Sequence, residues 1–402
     1  MEKTYIVAAR RTAIGSFGGT LKDIPAPRLA AETIKAVLAD AGVPPERVDE
    51  VILGTILTAG QGMGPGRQAA VYADIPVETP GYAVNMLCGS GMKSIMLAAD
   101  GIRLGRTHVA VASGAESMSR APYLVPPVTR FGSRFGNMEL QDHLIVDGLT
   151  DVFNNYHMGV TAENVARRYE ISRERQDAFA AESQRKAAAA IGAGHFEREI
   201  IPIDVANKQE TVQFKVDEYP RDGTTVDTLA KLRPAFLPDG TVTAGNSSGV
   251  NDGASSVLVT SERAVEELRL TTRAEILGYA QAAVEPSCMG LGPVPAVHKV
   301  LAEVGLPLSA MELIELNEAF AAQAIGVITE LAEEHDLSYD EIMARTNVNG
   351  GAIALGHPVG ASANRIVVTL LYEMERRDLE TGLASLCIGG GMGTAIVIRR
   401  TR

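Results

Sequence analysis

The sequence predicts an α/β protein whose sheets are covered by helices. Two observations carry this reading. Short apolar runs bounded by turn residues alternate with stretches whose apolar residues recur at helical spacing. That alternation stops near residue 118 and resumes near residue 272, and the two stretches echo each other. VDEVILGTIL (48–57) has the pattern of MELIELNEAF (311–320). SGMKSIMLAADGIRLG before a small-residue strand has the pattern of GASANRIVVTLLYEM before GLASLCIGGGMG. Similar offsets between paired segments read as a duplicated α/β unit.

The elements follow in order. YIVAA (5–9) is a strand by its β-branched and apolar content. Ile34, Val37, Leu38 and Ala41 lie on one helix face, and Gly42 stops it. VILGTIL (51–57) predicts a second strand, and YAVNML (82–87) a third that ends at Cys88. Met92, Ile95, Met96, Ala99 and Ile102 mark another helix, closed by Gly105, before the strand HVAVASGA (108–115). Residues 119–249 differ. APYLVPPVTRFGSRFGNMEL is loop-like, a helix is expected over 172–190 with Ser172 as its N-cap and Glu174 in its first turn, and IIPIDV and TVQFKV are short β-like runs. Long insertions in α/β proteins are often functional. The chain therefore divides into residues 1–118 with 250–271, an inserted segment 119–249, and residues 272–402.

Hydrophobic residues make up 46% and charged residues 21% of the 402, which is globular composition with length for two or three compact units. The net charge of −12 argues against nucleic-acid partners, which need a basic face, and against an anionic membrane surface. A small anionic ligand stays open, because a few local cations can hold it. No apolar stretch approaches the roughly 18 residues of a spanning helix. The apolar run of MEKTYIVAARR is too short for a signal-peptide core, and the final Thr-Arg is not a peroxisomal or ER address. A cytoplasmic location is expected. Cys88, Cys288 and Cys387 are far apart and form no CxxC pair, so neither a disulfide framework nor a zinc site is expected.

Four segments could carry chemistry. Cys88 in NMLCGSGMKS lies between a strand and a glycine-led helix, where unpaired N–H groups and the helix dipole would favour thiolate. Read alone, it is either a nucleophile or a core thiol. Cys387 in SLCIGGGMG precedes three glycines whose backbone can offer N–H donors, or else make a tight turn. His357, between Gly356 and Pro358, falls on a turn, where an imidazole is cheap to expose and aim into a cleft. Asn317, after an apolar strand, can polarise a carbonyl or position a water, or merely cap the next helix. Cys288 in EPSCMGLGP has no base or donor cluster beside it and reads as a small hydrophobe.

Some matches are decoys. GNSSG (245–249) fits the nucleophile-elbow pattern at Ser247, but VNDGASS is a poor helix start. Ser90-Gly-Met-Lys93 fits S-x-x-K without the companion S-D-N and K-T-G motifs. GQGMGPG lacks the dinucleotide spacing, and no G-K-[ST] is present.

Together the segments resemble the thiolase family, in its biosynthetic acetyl-CoA acetyltransferase branch. CGSG (88–91), NEAF (317–320), GHP (356–358) and CIGGG (387–391) occur in the family's order. VAARRTAIGSFGG, YHMGVTAENVA, KLRPAF, VTAGNSSGVNDGA and NVNGGAIALGHPVGAS extend the likeness nearly end to end. The resemblance implies duplicated β-α-β-α-β-α-β-β units in a five-layer α/β/α/β/α core. The inserted loop domain, fitting 119–249, would contribute to CoA binding and to the contacts of a homotetramer, a dimer of dimers.

It also implies roles. Cys88 would be the acyl-accepting nucleophile, His357 its base, and Cys387 the acid/base that removes the α-proton of a second acetyl-CoA. Asn317, through a water, would hold the enolate oxyanion with His357. The N–H groups of Cys88 and Gly389 would hold the tetrahedral oxyanion. His157 and Met158 resemble the pair that shapes a short acyl pocket in the biosynthetic branch. Arg221 would lie near the adenine nucleotide and Ser248 near the pantetheine, with Phe236, Met289 and Phe320 as apolar walls. Charge alone adds Arg130, Arg134 and Lys231 as cations for the phosphates. CoA would be substrate and product, with no cofactor or metal. The implied activity is the reversible condensation of two acetyl-CoA to acetoacetyl-CoA and CoA. The alternatives are a degradative 3-ketoacyl-CoA thiolase of broader chain length and a non-catalytic acyl-CoA-binding scaffold. A ketoacyl synthase generally lacks the second cysteine. Residues 328–346 are longer and more acidic than the family leads one to expect, and a lengthened surface helix or loop is anticipated there.

Overall fold

The computed structural model describes residues 2–206 and 210–401. The first half runs β1 (Thr4–Thr12), α1 (Ala26–Ala41), β2 (Glu50–Gly54), α2 (Pro65–Tyr72), β3 (Gly81–Val84), α3 (Ser90–Arg103) and β4 (Val109–Ser117). A long interval holding α4 (Met158–Arg168) and α5 (Arg173–Gly192) separates these from β5 (Asn251–Ser261). The second half runs β6 (Ala274–Ala283), α6 (Pro293–Val304), β7 (Leu313–Leu316), α7 (Ala321–Glu334), α8 (Val359–Arg377), β8 (Thr381–Ile388) and β9 (Met392–Arg400).

These strands are ordered β7-β8-β9-β6-β1-β5-β4-β2-β3 in one ladder. The order repeats: β1-β5-β4-β2 corresponds to β6-β9-β8-β7. The halves are joined through β1 and β6 at two register pairs, Tyr5 with Glu275 and Ile6 with Ala274. The first half is β-α-β-α-β-α-β-β throughout. In the second half the third strand is reduced to a single bridge between Ile314 and Thr346.

Burial shows the layers. Helix α8 is buried from Val359 to Met374, so it cannot be a surface helix. It packs with α3 in a cluster that takes Met92, Ile95 and Ile102 from α3, Ile366, Val367 and Leu370 from α8, and strand residues of both halves, such as Ile52, Val257, Leu386 and Ile396. Helix α1 covers the outer face of the first half through Leu29, Ile34 and Val37. Helices α6 and α7 cover that of the second half through Val297, Val300, Ile325 and Ile328. The result is the layered α/β/α/β/α arrangement that the resemblance implies, with α3 and α8 as the middle layer.

Some elements end earlier or run further than the patterns predict. Helix α1 stops where expected, at Gly42 with φ 64°, and Ser172 caps α5 by accepting from the Arg175 N–H at 3.3 Å. The run 51–57 leaves the sheet after Gly54, because the Ile56 and Leu57 N–H groups turn to the buried Glu116 carboxylate. The run 82–87 stops at Val84, and its chain turns at Leu87. Ile200 and Ile201 pair with β1, so part of the inserted segment joins the main ladder. Residues 203–206 and 211–214 form a separate hairpin. Within 328–346, α7 ends at Glu334 and Ser338 caps a short helix, Tyr339–Met343.

Candidate active site

Cys88, Asn317 and Cys387 lie towards the carboxyl ends of β3, β7 and β8, where α/β sheets usually open, and His357 shares a cavity with Cys88. Cys88 follows β3 on a tight elbow. Leu87, just before it, has φ 47°, an αL conformation that costs a branched side chain energy. Ser90 locks this turn: its Oγ accepts from the Met86 N–H at 2.8 Å and donates to the Leu87 carbonyl at 2.6 Å. The half-buried Cys88 thiol receives two backbone N–H groups, its own and that of Gly389. The elbow was expected to favour thiolate. Instead, burial pushes the thiol up to about 11, outweighing those two donors, and the Glu116 carboxyl adds to the rise. The resting group is therefore a neutral thiol, and a base is needed to ionise it.

His357 is the base candidate. It lies between the short helical turn Ala352–Leu355 and α8. The turn position holds, but the expected exposure does not: the residue is buried. Its N–H donates to Asn251 Oδ1 at 2.9 Å. Gly356, at φ 104°, lets Asn251 in, since a Cβ there would sit 2.5 Å from the amide carbon. The ring Nδ1 lies 2.6 Å from Ser362 Oγ, which itself donates to the Pro358 carbonyl at 3.0 Å. With that hydroxyl proton committed, Oγ accepts from Nδ1–H, and the tautomer leaves Nε2 unprotonated. Burial, aided by the Arg365 charge, lowers the imidazole to about 4, so it is neutral and able to take a proton near pH 7.

Cys387 is buried near the end of β8, beside Met158, Met289, Ala319 and Phe320. Burial pushes its thiol well above the usual range, and negative charge on Cys88 pushes it further. Asn317 follows β7. Its side chain is buried, and neither Oδ1 nor Nδ2 has a hydrogen-bond partner among the described residues. Glu318, next in line, is structural: it accepts from Ser183 Oγ at 2.6 Å and Asn347 Nδ2 at 2.8 Å.

A largely apolar cavity of about 320 Å³ opens onto Cys88, His357 and Gly389. His157, Met158, Phe236, Ser248, Met289 and Phe320 all line it. The His157 ring stacks on Phe236 at 4.7 Å, and Phe236 meets Phe320 edge-on at 6.1 Å. His157 caps α4, accepting from the Gly159 N–H through Nδ1 at 3.0 Å. Cys387 and Asn317 lie outside this lining. Arg221 is exposed beyond the wall residue Tyr219, whose ring it overlies at 5.6 Å. Arg130, Arg134 and Lys231 are exposed and line no part of the cavity. Cys288 packs against the α6–α7 layer, in keeping with its reading as a hydrophobe. The decoy Ser247 is buried, its hydroxyl donating to the Thr243 carbonyl at 2.7 Å. Sequence reasoning missed Ser362, Asn251 and Glu116. Ser362 is five residues after His357, close enough to have been found; the other two lie far away in sequence.

A thiol facing two N–H donors, a neutral imidazole and a second buried thiol, on a repeated α/β core, fit an acyl-transferring thiol enzyme. Residues 4–263 match the family described as thiolase, N-terminal domain, and residues 270–400 match thiolase, C-terminal domain; the chain belongs to the thiolase family. It is 53% identical over 401 residues to the acetyl-CoA acetyltransferase of Pseudomonas aeruginosa, with 100% of each chain covered. The crystal structure of the Bacillus anthracis acetyl-CoA acetyltransferase superposes with a TM-score of 0.95 at 42% identity, covering 100% of this chain and 99% of that one. Human mitochondrial 3-ketoacyl-CoA thiolase in complex with CoA gives 0.93 at 44% identity, covering 100% and 98%.

Proposed function

We propose that the protein is an acetyl-CoA C-acetyltransferase, condensing two acetyl-CoA to acetoacetyl-CoA and CoA reversibly through an acetyl-cysteine enzyme. The carrying observation is the pair of N–H groups, from Cys88 and Gly389, converging on the Cys88 sulfur in a cavity shared with His357. Nε2 of His357 takes the thiol proton, and Cys88 Sγ attacks the thioester carbonyl. The oxyanion forms beside the two N–H groups, and CoA leaves with a proton given by Cys387, while His357 keeps the Cys88 proton on Nε2. In the second half-reaction the Cys387 thiolate so formed removes a methyl proton from another acetyl-CoA. The enolate oxygen is held by His357 and, through a water, by Asn317. The carbanion attacks the acetyl carbonyl, the C–C bond forms, and Cys88 is released and recovers its proton from His357. Burial keeps Cys387 protonated at rest, so its proton is available to the departing CoA.

His157, Met158, Phe236, Met289 and Phe320 bound the acyl and pantetheine space, Ser248 approaches the pantetheine, and Arg221 meets the nucleotide end. The reaction draws on no cofactor or metal, CoA being substrate and product. The inserted loop domain, residues 119–249, supplies CoA contacts and the interface of a homotetramer. The exposed apolar side chains of Tyr123, Val128, Phe131 and Phe135 fit such an interface. Three free cysteines fit a cytoplasmic, reducing location. No helix among the described residues is long and apolar enough to cross a membrane.

The test is to trap the enzyme with acetyl-CoA and map the acetyl group by mass spectrometry. Label on Cys88 is expected; label on Cys387 or Cys288 overturns the scheme. Thiolysis of acetoacetyl-CoA should exceed that of a 3-keto-C8-CoA. The reverse preference would instead identify a broad-chain degradative enzyme.

A further inference from the structure

Outside the catalytic cavity, one group of side chains has donor chemistry without a use. His298 lies on the exposed side of α6, Glu334 is the last residue of α7, and His335 caps that helix. One ring nitrogen of each histidine and one carboxylate oxygen all lie within 4.8 Å of one another. The two ring centroids lie 6.4 Å apart, with the planes tilted by 40°. Neither imidazole nor the Glu334 carboxylate hydrogen-bonds to the protein among the described residues, and His335 Nε2 is shielded from solvent without a partner. The neighbouring cation, Lys299, is turned away to the Gln281 carbonyl at 3.4 Å.

We propose that His298, Glu334 and His335 bind a late first-row divalent cation, Zn²⁺, Ni²⁺ or Cu²⁺. Two imidazoles and a carboxylate are the donor set such ions prefer over Mg²⁺ or Ca²⁺. Donor atoms around a tetrahedral ion stand about 3.4 Å apart, so a modest side-chain rotation closes the group. The carbonyl end of α7 adds the negative pole of its dipole, which favours a cation there. Bound metal ties α6 to the end of α7, and water completes the coordination. Catalysis does not pass through this site.

The intact enzyme, freed of metal by chelation, is titrated with NiCl₂ by calorimetry and melted with and without it. One Ni²⁺ per chain and a raised melting temperature are expected. His298→Ala and His335→Gln should each weaken binding at least tenfold and abolish the melting shift, while keeping thiolysis activity as a sign of correct folding. Glu334→Gln should weaken binding less. His143→Ala, at the distant His143–Asp147 pair, should change nothing. No saturable binding, or binding that survives His298→Ala and His335→Gln but is lost in Cys88→Ser or His143→Ala, would overturn the proposal.

Discussion

The two halves of the molecule use one topology for different chemistry. Cys88 stands two residues before α3, and His357 two residues before α8, the corresponding helix of the second half. The two helices cross at their N-termini in the middle layer. Gly91 allows this, since a Cβ there would meet the Asn364 backbone nitrogen at 2.8 Å and the Gly360 carbonyl at 2.9 Å. Asn364 Nδ2 bonds back to the Ala112 carbonyl in β4 at 3.0 Å. The approaches to the two helices differ. In the first half a full third strand leads to a strained elbow that aims a thiol at N–H groups. In the second, that strand is a single bridge, and the freed chain makes a turn that carries a base. The two repeats thus offer topologically equivalent helix starts, and their different approaches present the proposed nucleophile from one and the proposed proton acceptor from the other.

Three substitutions would break or sharpen this pairing, in order of expected effect. His357→Gln removes the base and should lower kcat by roughly 10²–10⁴-fold in steady-state thiolysis. It should also change acid stability. The folded imidazole sits at about 4, below its ordinary 6.5, so wild type loses stability as pH falls from 6.5 towards 4. That loss is up to roughly 3 kcal/mol, and denaturant melts of the variant should lack it. Gly91→Ala pushes the two helix starts apart. It should cost about 1–3 kcal/mol by the same melts and lower kcat as well, because Cys88 and His357 move relative to each other. Retained activity in that variant would separate the crossing from the chemistry. Ser362→Ala frees Nδ1 and lets the wrong tautomer compete. A fall in kcat of about tenfold is expected, with KM little changed and recovery in Ser362→Thr.

Local pattern revealed much of the scaffold. Helical spacing and Gly42 located α1, and the echo of 48–57 with 311–320 paired β2 with β7, the correspondence the sheet order displays. What local pattern missed depends on distant partners. The strand at 51–57 ends early because Glu116, about sixty residues away, takes the N–H groups of Ile56 and Leu57. His357 is buried because Asn251, 106 residues back, holds its N–H. The helix-dipole argument for a Cys88 thiolate was sound as far as it went, but it omitted desolvation, which no sequence window reports. Cys288 and the decoy Ser247 show the converse, where composition and context alone were sufficient.

The position of β1 also sets when the protein can become itself. Thr4 to Arg11 pair with Ser255 to Ser261, and Tyr5 and Ile6 also with β6. Apart from the short pairing of Arg11 and Thr12 with Ile200 and Ile201, β1 is therefore unable to find its partners until some 250 residues later have left the ribosome. At about 5–20 residues per second this wait is on the order of 10–50 seconds. Throughout it an apolar strand with unpaired edges stays open, and the chain pays for high contact order with slow closure and a window for aggregation. Synthesis rate and chaperone supply, more than the depth of the finished core, should therefore govern how much active enzyme a cell recovers.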